Sequence, residues 1–289
     1  MYSVNKYEDK FFVYELREES TNSSIKLCPE RGAIITNFVC HGKELLYLDK
    51  ETFYDTDANI RGGIPILFPI SGQLKEGKYE LDGKTYFMKN HGVARINSWE
   101  VIETCADNRA AIKLRLKSNE DTLKAFPFDF ELVFTYILKD GKLTIEQEYK
   151  NNSSNAMPIQ AGFHPYFETL NKNISYSTDA EKYLDYNDMQ IKDYTGSVDL
   201  TNMVESAAFI DANKNIISFE LKELSRKICL EYGKEFKYIV IWSVKGKDFV
   251  CVEPWMEKNG ALNTGNGLQY IEAGRSLKTY FNISAEFTK

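Results

Sequence analysis

Apolar and polar residues alternate over many short stretches of the chain, which is the pattern of half-buried β-strands. In "AIKLRLK" the apolar Ile112, Leu114 and Leu116 are separated by lysine and arginine. The stretch "SLKTYFNISAEF", residues 276–287, alternates in the same way. Both are predicted to be strands with one face on a core and the other in water.

Several of these stretches are joined by short glycine-containing turns, an arrangement that predicts β-hairpins. The predicted hairpins turn at Asp140-Gly141 between "FDFELVFTYIL" and "LTIEQEYK", at Asp82-Gly83 in "YELDGKTYFM", and at Lys245-Gly246 in "FKYIVIWSVKGKDFVCVE". Sustained helical periodicity is absent from the sequence. Aromatic residues make up 13% of the chain, enough rings to fill the space between sheets. We therefore predict an all-β fold, a large antiparallel β-sandwich.

No linker rich in proline, glycine or serine interrupts the pattern, so one domain over residues 1–289 is predicted. Two stretches do lack regular alternation. They are "KETFYDTDANIRGGIPILFP" (residues 50–69) and "SSNAMPIQAGFHPYFETLNKNISYS" (residues 153–177). Glycine and proline make a regular strand unfavourable in the first, and the second is interpreted as a long loop. Long loops in a compact domain are often functional.

Charge and cysteine content narrow the classes of partner. The net charge of -6 arises from interspersed acids and bases without a basic run, which argues against nucleic acid and membrane surfaces and favours a small ligand. Five scattered cysteines without C-x-x-C indicate a reducing compartment rather than disulfides or structural zinc.

The N-terminus lacks a signal-peptide pattern, and no apolar run approaches the ~20 residues that span a bilayer. A cytoplasmic protein, monomeric or homodimeric, is predicted.

Five titratable groups lie in irregular, aromatic-rich segments and are candidates for chemistry. They are Arg61 in "IRGGIPILFP", His91 and Arg95 in "NHGVAR", His164 in "GFHPYF", and Glu253 in "VCVEPW". Each has a structural alternative. The histidine before Pro165 belongs at a strand end or edge, where it either faces a cleft or is satisfied by backbone bonds.

Local sequence does not decide between the alternative roles of the remaining candidates. His91, beside Gly92, is either an exposed turn histidine or part of a close approach to a ligand, and His41 is expected to be an ordinary exposed residue. Glu253 ends an apolar strand and is either ion-paired or used, because a dry unpaired carboxylate costs several kcal/mol. Trp255 is either core or a stacking surface for a sugar.

Arg61 either binds a ligand oxygen or bonds the carbonyls of its own loop. A metal site is disfavoured, since the three histidines lie far apart in sequence without an H-x-x-x-H spacing. The dinucleotide fingerprint, the P-loop and the nucleophile elbow are all missing.

Taken in order, "RGGIPILFP", "HGVAR", "GFHPYF" and "VCVEPW" resemble the aldose 1-epimerase (galactose mutarotase-like) family, and within it the branch that includes glucose-6-phosphate 1-epimerases. The resemblance extends over essentially the whole chain and implies the family's large β-sandwich. It implies that His164 is the general acid, Glu253 the general base, and His91 a second active-site histidine near the ring oxygen. It also implies that Arg61 and Arg95 contact substrate, with Trp255 a further candidate.

The family's active-site aspartate has no clear counterpart; Asp185 and Asp211 are both weak candidates. The chemistry accounts for the residue types. A carboxylate base takes the C1 hydroxyl proton while an imidazolium acid protonates the ring oxygen, so that no cofactor, metal or covalent intermediate is needed. The expected substrate is a free hexose or a hexose 6-phosphate.

Two other functions fit less of the sequence. One is a carbohydrate-binding or sugar-sensing protein that keeps the pocket without turnover, because a fold does not fix a function. The other is a glycosidase or lyase, which would want a second carboxylate, for which Glu257 and Glu272 are available, or a metal.

Overall fold

The alternation becomes strands through most of the chain in a computed structural model that describes residues 1–287. In the first half the strands are β1 (Tyr2–Glu8), β2 (Phe12–Glu18), β3 (Ser23–Cys28), β4 (Ile34–Cys40), β5 (Lys43–Glu44), β6 (Ile66–Leu67), β7 (Lys78–Leu81), β8 (Lys84–Phe87), β9 (Glu100–Cys105), β10 (Ala110–Lys117), β11 (Phe130–Lys139), β12 (Lys142–Asn151) and β13 (Met157–Ile159).

The second half continues with strands of similar length and one longer closing strand. They are β14 (Gly162–Phe163), β15 (Tyr166–Glu168), β16 (Asn173–Ser177), β17 (Lys182–Asp185), β18 (Gln190–Asp193), β19 (Ser197–Asp199), β20 (Ala207–Phe209), β21 (Ile216–Leu221), β22 (Arg226–Tyr232), β23 (Tyr238–Trp242), β24 (Phe249–Trp255), β25 (Gln269–Ile271) and β26 (Ser276–Phe287). The described residues also contain three short α-helices, α1 (Lys50–Tyr54), α2 (Glu120–Ala125) and α3 (Ala261–Thr264), and four single-turn 3-10 helices.

The strands form two large sheets and three smaller ones. The nine-stranded sheet has the order β19-β16-β21-β22-β26-β12-β11-β10-β9. The eight-stranded sheet has the order β18-β17-β20-β23-β24-β14-β6, with β15 also paired to β24. β1 to β5 form a five-stranded sheet, while β7 pairs with β8 and β13 with β25. The prediction of an all-β, antiparallel fold is confirmed.

Aromatic rings fill the space between the two large sheets. Phe163 of β14 lies 5.0 Å from Phe281 of β26 and 6.2 Å from Phe134 of β11, measured between ring centroids. Phe167 of β15 similarly contacts Phe219 of β21. The rings from one sheet therefore interdigitate with those of the other, which is the contact expected of a sandwich.

The hairpins and strands predicted from alternation are present. β11 and β12 pair through Lys139 and Lys142 around the Asp140-Gly141 turn, and β7 and β8 pair around Asp82-Gly83. β23 and β24 also pair, but through Trp242 and Cys251, so that the connection containing Lys245-Gly246 is longer than a two-residue turn.

One prediction needs correction, because residues 153–177 are not one long loop. They contain β13, β14, β15 and β16. These strands are two to five residues long, and the first two are buried on both faces. Period-2 alternation cannot be recognised in the first three strands, which are two or three residues long, whereas β16 does alternate between exposed and buried residues. Residues 50–69 are irregular apart from α1 and the two-residue β6, as expected.

One face of β24 packs into the core, and its other face lines the candidate site. Val250 and Val252 point into the main core, whereas Cys251, Glu253 and Trp255 alternate with them and share the opposite face. All seven residues of this strand are buried, so its polar side chain is held at the base of a cleft rather than on an open surface.

Candidate active site

A cleft opens on the outer face of the eight-stranded sheet. The cleft has a volume of about 670 Å³, which includes the part open to solvent. Its lining residues come from four regions of the chain: Gly72, Gln73, Asn90 and His91; His164; Val204, Glu205 and Ser206; and Val240, Trp242, Glu253, Trp255 and Asn259. The structure thus brings together His91, His164, Glu253 and Trp255, which are distant in sequence.

Glu253 lies in the middle of β24 and is paired with Val240 of β23. The carboxyl group is 1% exposed, and its Oε2 accepts a hydrogen bond of 3.0 Å from the indole Nε1–H of Trp255. Residues 253 and 255 are two apart on one strand, so both side chains must project to the same face. Trp255 is itself only 4% exposed, and it therefore orients the carboxyl more than it offers a face to a ligand.

His164 lies between β14 and β15, both of which pair with β24. The strand-end position predicted from Pro165 is confirmed, although β14 is flanked on both sides and is not an edge. The backbone N–H of His164 donates to the carbonyl of Pro65, and its ring stacks on Tyr166 at 4.6 Å between centroids. Its Nε2 stands 3.5 Å from Oε1 of Glu253, so the two groups form a buried pair.

The second histidine of the cleft, His91, is held in an unusual backbone conformation. Its φ is 69°, a left-handed value that is costly for a residue with a side chain. Gly92 follows at φ 74°, and a Cβ there would stand 2.1 Å from the carbonyl oxygen of Phe68, so only glycine fits. The His91 ring lies edge-on to that of His164, with centroids 5.2 Å apart.

The tautomer of His91 follows from its hydrogen bond. Nδ1 lies 2.6 Å from the carbonyl oxygen of Ser71. A carbonyl oxygen can only accept, so Nδ1 carries the proton and Nε2 keeps a free lone pair. Burial and the nearby Arg95 guanidinium lower the pKa of His91 to about 4. The ring is therefore a neutral hydrogen-bond acceptor at neutral pH.

The two arginines lie beside the cleft rather than among its lining residues. Arg61 is exposed, and its guanidinium carbon lies 5.9 Å from the centroid of the Trp242 ring. Arg95 borders a neighbouring cavity and donates to Oδ1 of Asn59, and burial lowers the pKa of its guanidinium. Within residues 1–287, no carboxylate forms an ion pair with either arginine. Two cations without carboxylate partners therefore flank the cleft.

Trp242 and residues 204–206 are parts of the cleft that sequence reasoning missed. The Trp242 ring lies 5.8 Å from that of His164, and its Nε1–H donates to the carbonyl of Val204. One signal was available for Trp242, because the predicted hairpin of β23 and β24 places it near Glu253. No sequence pattern marks residues 204–206, whose position depends on long-range contacts.

The candidate aspartates do not line the cleft. Asp185 is buried, accepts hydrogen bonds from Asn187, and is ion-paired with Lys192 at 2.6 Å. Asp211 accepts from the backbone N–H groups of residues 181 and 182. Glu205 is the carboxylate that joins Glu253 in the lining instead. Glu257 and Glu272 are likewise outside the lining.

Burial shifts the proton affinities of the central pair in opposite directions. It raises the pKa of Glu253 well above 4.5, with the Trp255 hydrogen bond offsetting part of the effect. It lowers the pKa of His164 well below 6.5, aided by His91 and Arg95. The free protein therefore favours a protonated carboxyl and a neutral imidazole. This differs from the expected carboxylate and imidazolium, because desolvation penalises both charged forms.

Cys251 completes a buried trio with the pair, since the ligand atoms of His164, Cys251 and Glu253 all lie within 4.8 Å of one another. Nitrogen, sulfur and oxygen together would suit zinc. However, burial raises the pKa of the Cys251 thiol well above 9.0, as it raises that of Glu253. A metal would have to displace a proton from each, so the trio is not a preformed metal centre. All five cysteines are free.

Comparisons with known proteins agree with this fold. The model of the aldose 1-epimerase family matches residues 14–284. The crystal structure of the protein Slr1438 from Synechocystis sp. PCC 6803 is 36% identical, with a TM-score of 0.93 and complete coverage of both chains. A galactose mutarotase-like protein from Clostridium acetobutylicum is 19% identical, with a TM-score of 0.83 and 99% coverage of both chains.

A curated relative matches part of the sequence. It is a protein of Cenchrus ciliaris, provisionally named glucose-6-phosphate 1-epimerase, and it is 29% identical over 136 residues. The match covers 44% of this chain and 38% of the relative, well under two thirds of the relative's length.

None of the helices within residues 1–287 has the length and apolar character needed to cross a bilayer.

The low pKa of His91 predicts a pH-dependent contribution to stability. His91 titrates near 6.5 when unfolded and at about 4 when folded, so its neutral form stabilises the fold above pH 6.5 and this contribution is lost as the pH falls toward 4. We expect the unfolding free energy of the wild type, relative to His91→Gln, to fall by the order of 1 kcal/mol over this range. Urea unfolding at several pH values measures it. The exposed His41 provides the control variant His41→Gln, and a His91 difference that is flat with pH would contradict the assignment.

Proposed function

Since the chain belongs to the aldose 1-epimerase family, we propose that it interconverts the α- and β-anomers of a hexose or hexose 6-phosphate by opening and reclosing the sugar ring. The observation that carries this proposal is the buried pair of His164 and Glu253, whose Nε2 and Oε1 are 3.5 Å apart at the base of the cleft. The two oxygens that exchange protons in anomerisation are both bonded to C1. A matching acid and base must therefore lie within a few ångströms of each other.

Ring opening moves two protons and breaks one bond. The carboxylate of Glu253 takes the proton of the C1 hydroxyl, and the C1–O bond to the ring oxygen breaks as C1 becomes a carbonyl. The imidazolium of His164 delivers its proton to the departing ring oxygen. After rotation about C1–C2, the same transfers run in reverse and close the ring on the other face of C1. The pair returns to its initial state after each turnover.

The proton count of the pair is the same in both of its neutral-overall forms. A carboxylate with an imidazolium and a carboxylic acid with a neutral imidazole each carry one proton more than a carboxylate with a neutral imidazole. Ring opening converts the first form into the second, which burial favours in the free protein. Burial therefore assists proton transfer to the sugar, while sugar hydroxyl groups must stabilise the charged form when the closed ring is bound. No proton has to be exchanged with solvent.

His91 serves as a hydrogen-bond acceptor in this scheme. Its Nδ1–H is occupied by the carbonyl of Ser71, which leaves the Nε2 lone pair for a sugar hydroxyl. The edge-on contact with His164 places that acceptor next to the acid. A neutral ring at this position avoids a second positive charge beside the imidazolium of His164.

Arg61 and Arg95 support a phosphorylated substrate. Both guanidinium groups lie beside the cleft, and both lack a carboxylate partner within residues 1–287. A phosphate would supply anionic oxygens to both guanidinium groups, and Arg binds such oxygens bidentately. The Cenchrus ciliaris relative carries the name of a hexose-phosphate epimerase, which agrees with this assignment.

One prediction concerns the pair of His164 and Glu253. Glu253→Gln and His164→Asn should each lower the catalysed rate of anomer exchange at least about a hundredfold, the usual cost of losing a general acid or base. NMR exchange spectroscopy on glucose, galactose and their 6-phosphates measures the rate against buffer alone. Glu257→Gln, outside the cleft lining, is the matched control and should retain the rate.

Two outcomes would contradict the assignment. Retention of full activity in either variant would remove that residue from the mechanism. If the wild type binds sugar by calorimetry but accelerates exchange with none of these substrates, the protein is a sugar-binding module instead.

A further prediction concerns Arg95. If Arg95 binds a phosphate, Arg95→Ala should lower kcat/KM for glucose 6-phosphate by about tenfold or more, the equivalent of one charge-assisted hydrogen bond. The value for free glucose should change much less. Arg115→Ala, on the outer face of the nine-stranded sheet, is the control. An equal loss on both substrates would show that Arg95 does not select for phosphate.

A further inference from the structure

One wall of the cleft, residues 204–206, belongs to no strand or helix. Val204 is 78% exposed, yet it lines the cleft together with the carboxylate-bearing Glu205. An irregular, exposed segment would ordinarily be mobile unless its backbone is held by other groups. The source of those hydrogen bonds therefore decides whether this wall is a fixed part of the site.

A single side chain, that of Asn187, supplies most of these bonds. Its Oδ1 accepts from the backbone N–H of Val204 at 2.9 Å and from that of Glu205 at 2.8 Å. Its Nδ2 donates to the carbonyl of Glu205 at 3.1 Å and to Oδ1 of Asp185 at 2.8 Å. Every donor and acceptor site of the amide is used, which only asparagine at this length can provide.

The asparagine is itself held from behind. Oδ1 of Asp185 also accepts the backbone N–H of Asn187, and Oδ2 accepts from Nζ of Lys192 at 2.6 Å. Burial raises the pKa of Asp185, but the hydrogen bonds from Lys192 and Asn187 outweigh it and keep the pKa below its ordinary value. Asp185 is 3% exposed, so the amide of Asn187 is anchored to a buried, ionised carboxylate.

The wall is connected to the catalytic pair through Trp242. The carbonyl of Val204 accepts a 3.2 Å hydrogen bond from Nε1–H of Trp242. The ring of Trp242 contacts the ring of His164 edge-on and lies under the guanidinium of Arg61. None of these three contacts involves Asn187, so its loss leaves the surroundings of the proposed acid in place.

We propose that Asn187 is a positioning residue, which clamps Val204 and Glu205 into the cleft so that this wall is already in place when the sugar binds. The proposal rests on the proposed function for its kinetic consequence, but the clamp itself can be tested without activity. A preorganised wall strengthens binding because the wall loses little conformational entropy when the sugar binds. Loss of the clamp should raise KM and leave kcat nearly unchanged.

Hydrogen exchange tests the clamp directly. The amides of Val204 and Glu205 donate to Asn187, so they should exchange at least about tenfold faster in Asn187→Ala than in the wild type. NMR or mass spectrometry at residues 204 and 205 measures this, with the amides of β24 as internal reference. Asn213→Ala, an exposed asparagine without these contacts, is the matched control. Unchanged exchange at 204 and 205 would overturn the clamp.

Affinity and kinetics then test the positioning role. Asn187→Ala and Asn187→Asp should weaken binding of glucose 6-phosphate about tenfold, with kcat within about threefold of the wild type. Asn187→Asp brings a carboxylate against that of Asp185, and Asp185→Asn in the same chain should recover part of the loss by restoring an amide–carboxylate bond. Faster exchange with unchanged affinity would overturn the positioning role. If the wild type binds the sugar without turning it over, the proposed function fails, while the calorimetric loss in the variants still decides the role of Asn187.

Discussion

The candidate site depends on one constraint, the burial of a carboxyl and an imidazole side by side. Glu253 is 1% exposed and His164 6% exposed, and their nearest polar atoms are 3.5 Å apart. Water cannot stabilise either charge there, so the pair favours its uncharged form, a carboxylic acid beside a neutral imidazole. Such a pair can donate and accept protons without a cofactor, which is the chemistry that anomerisation requires.

The sandwich makes this burial possible. β24 turns valines toward the aromatic core and Cys251, Glu253 and Trp255 toward the cleft, so one strand serves stability and chemistry on its two faces. Phe163, the residue immediately before His164, packs into the aromatic core. The polar groups are thus fixed by the same packing that stabilises the fold, and a displacement of the pair would require repacking of the core.

Sequence reasoning was accurate where a physical pattern is local. Period-2 alternation located β10, β11, β12 and β26, and glycine turns located the hairpins. It failed where the structure is decided by distant contacts. Within residues 153–177, β13, β14 and β15 are too short to show alternation, and the first two are buried throughout. The wall held by Asn187 has no pattern of its own. Candidate residues could be named from their types and order, but the protonation states could not, because they depend on burial.

The protonation state of Glu253 in the free protein is the most direct test of this account. Infrared difference spectroscopy between the wild type and Glu253→Gln, at about pH 6, isolates the carboxyl group of this residue. We expect the C=O stretch of a protonated carboxylic acid in the wild type that is lost in the variant. The symmetric and antisymmetric bands of a carboxylate in its place would show that burial does not hold the proton on Glu253, and would contradict the central claim.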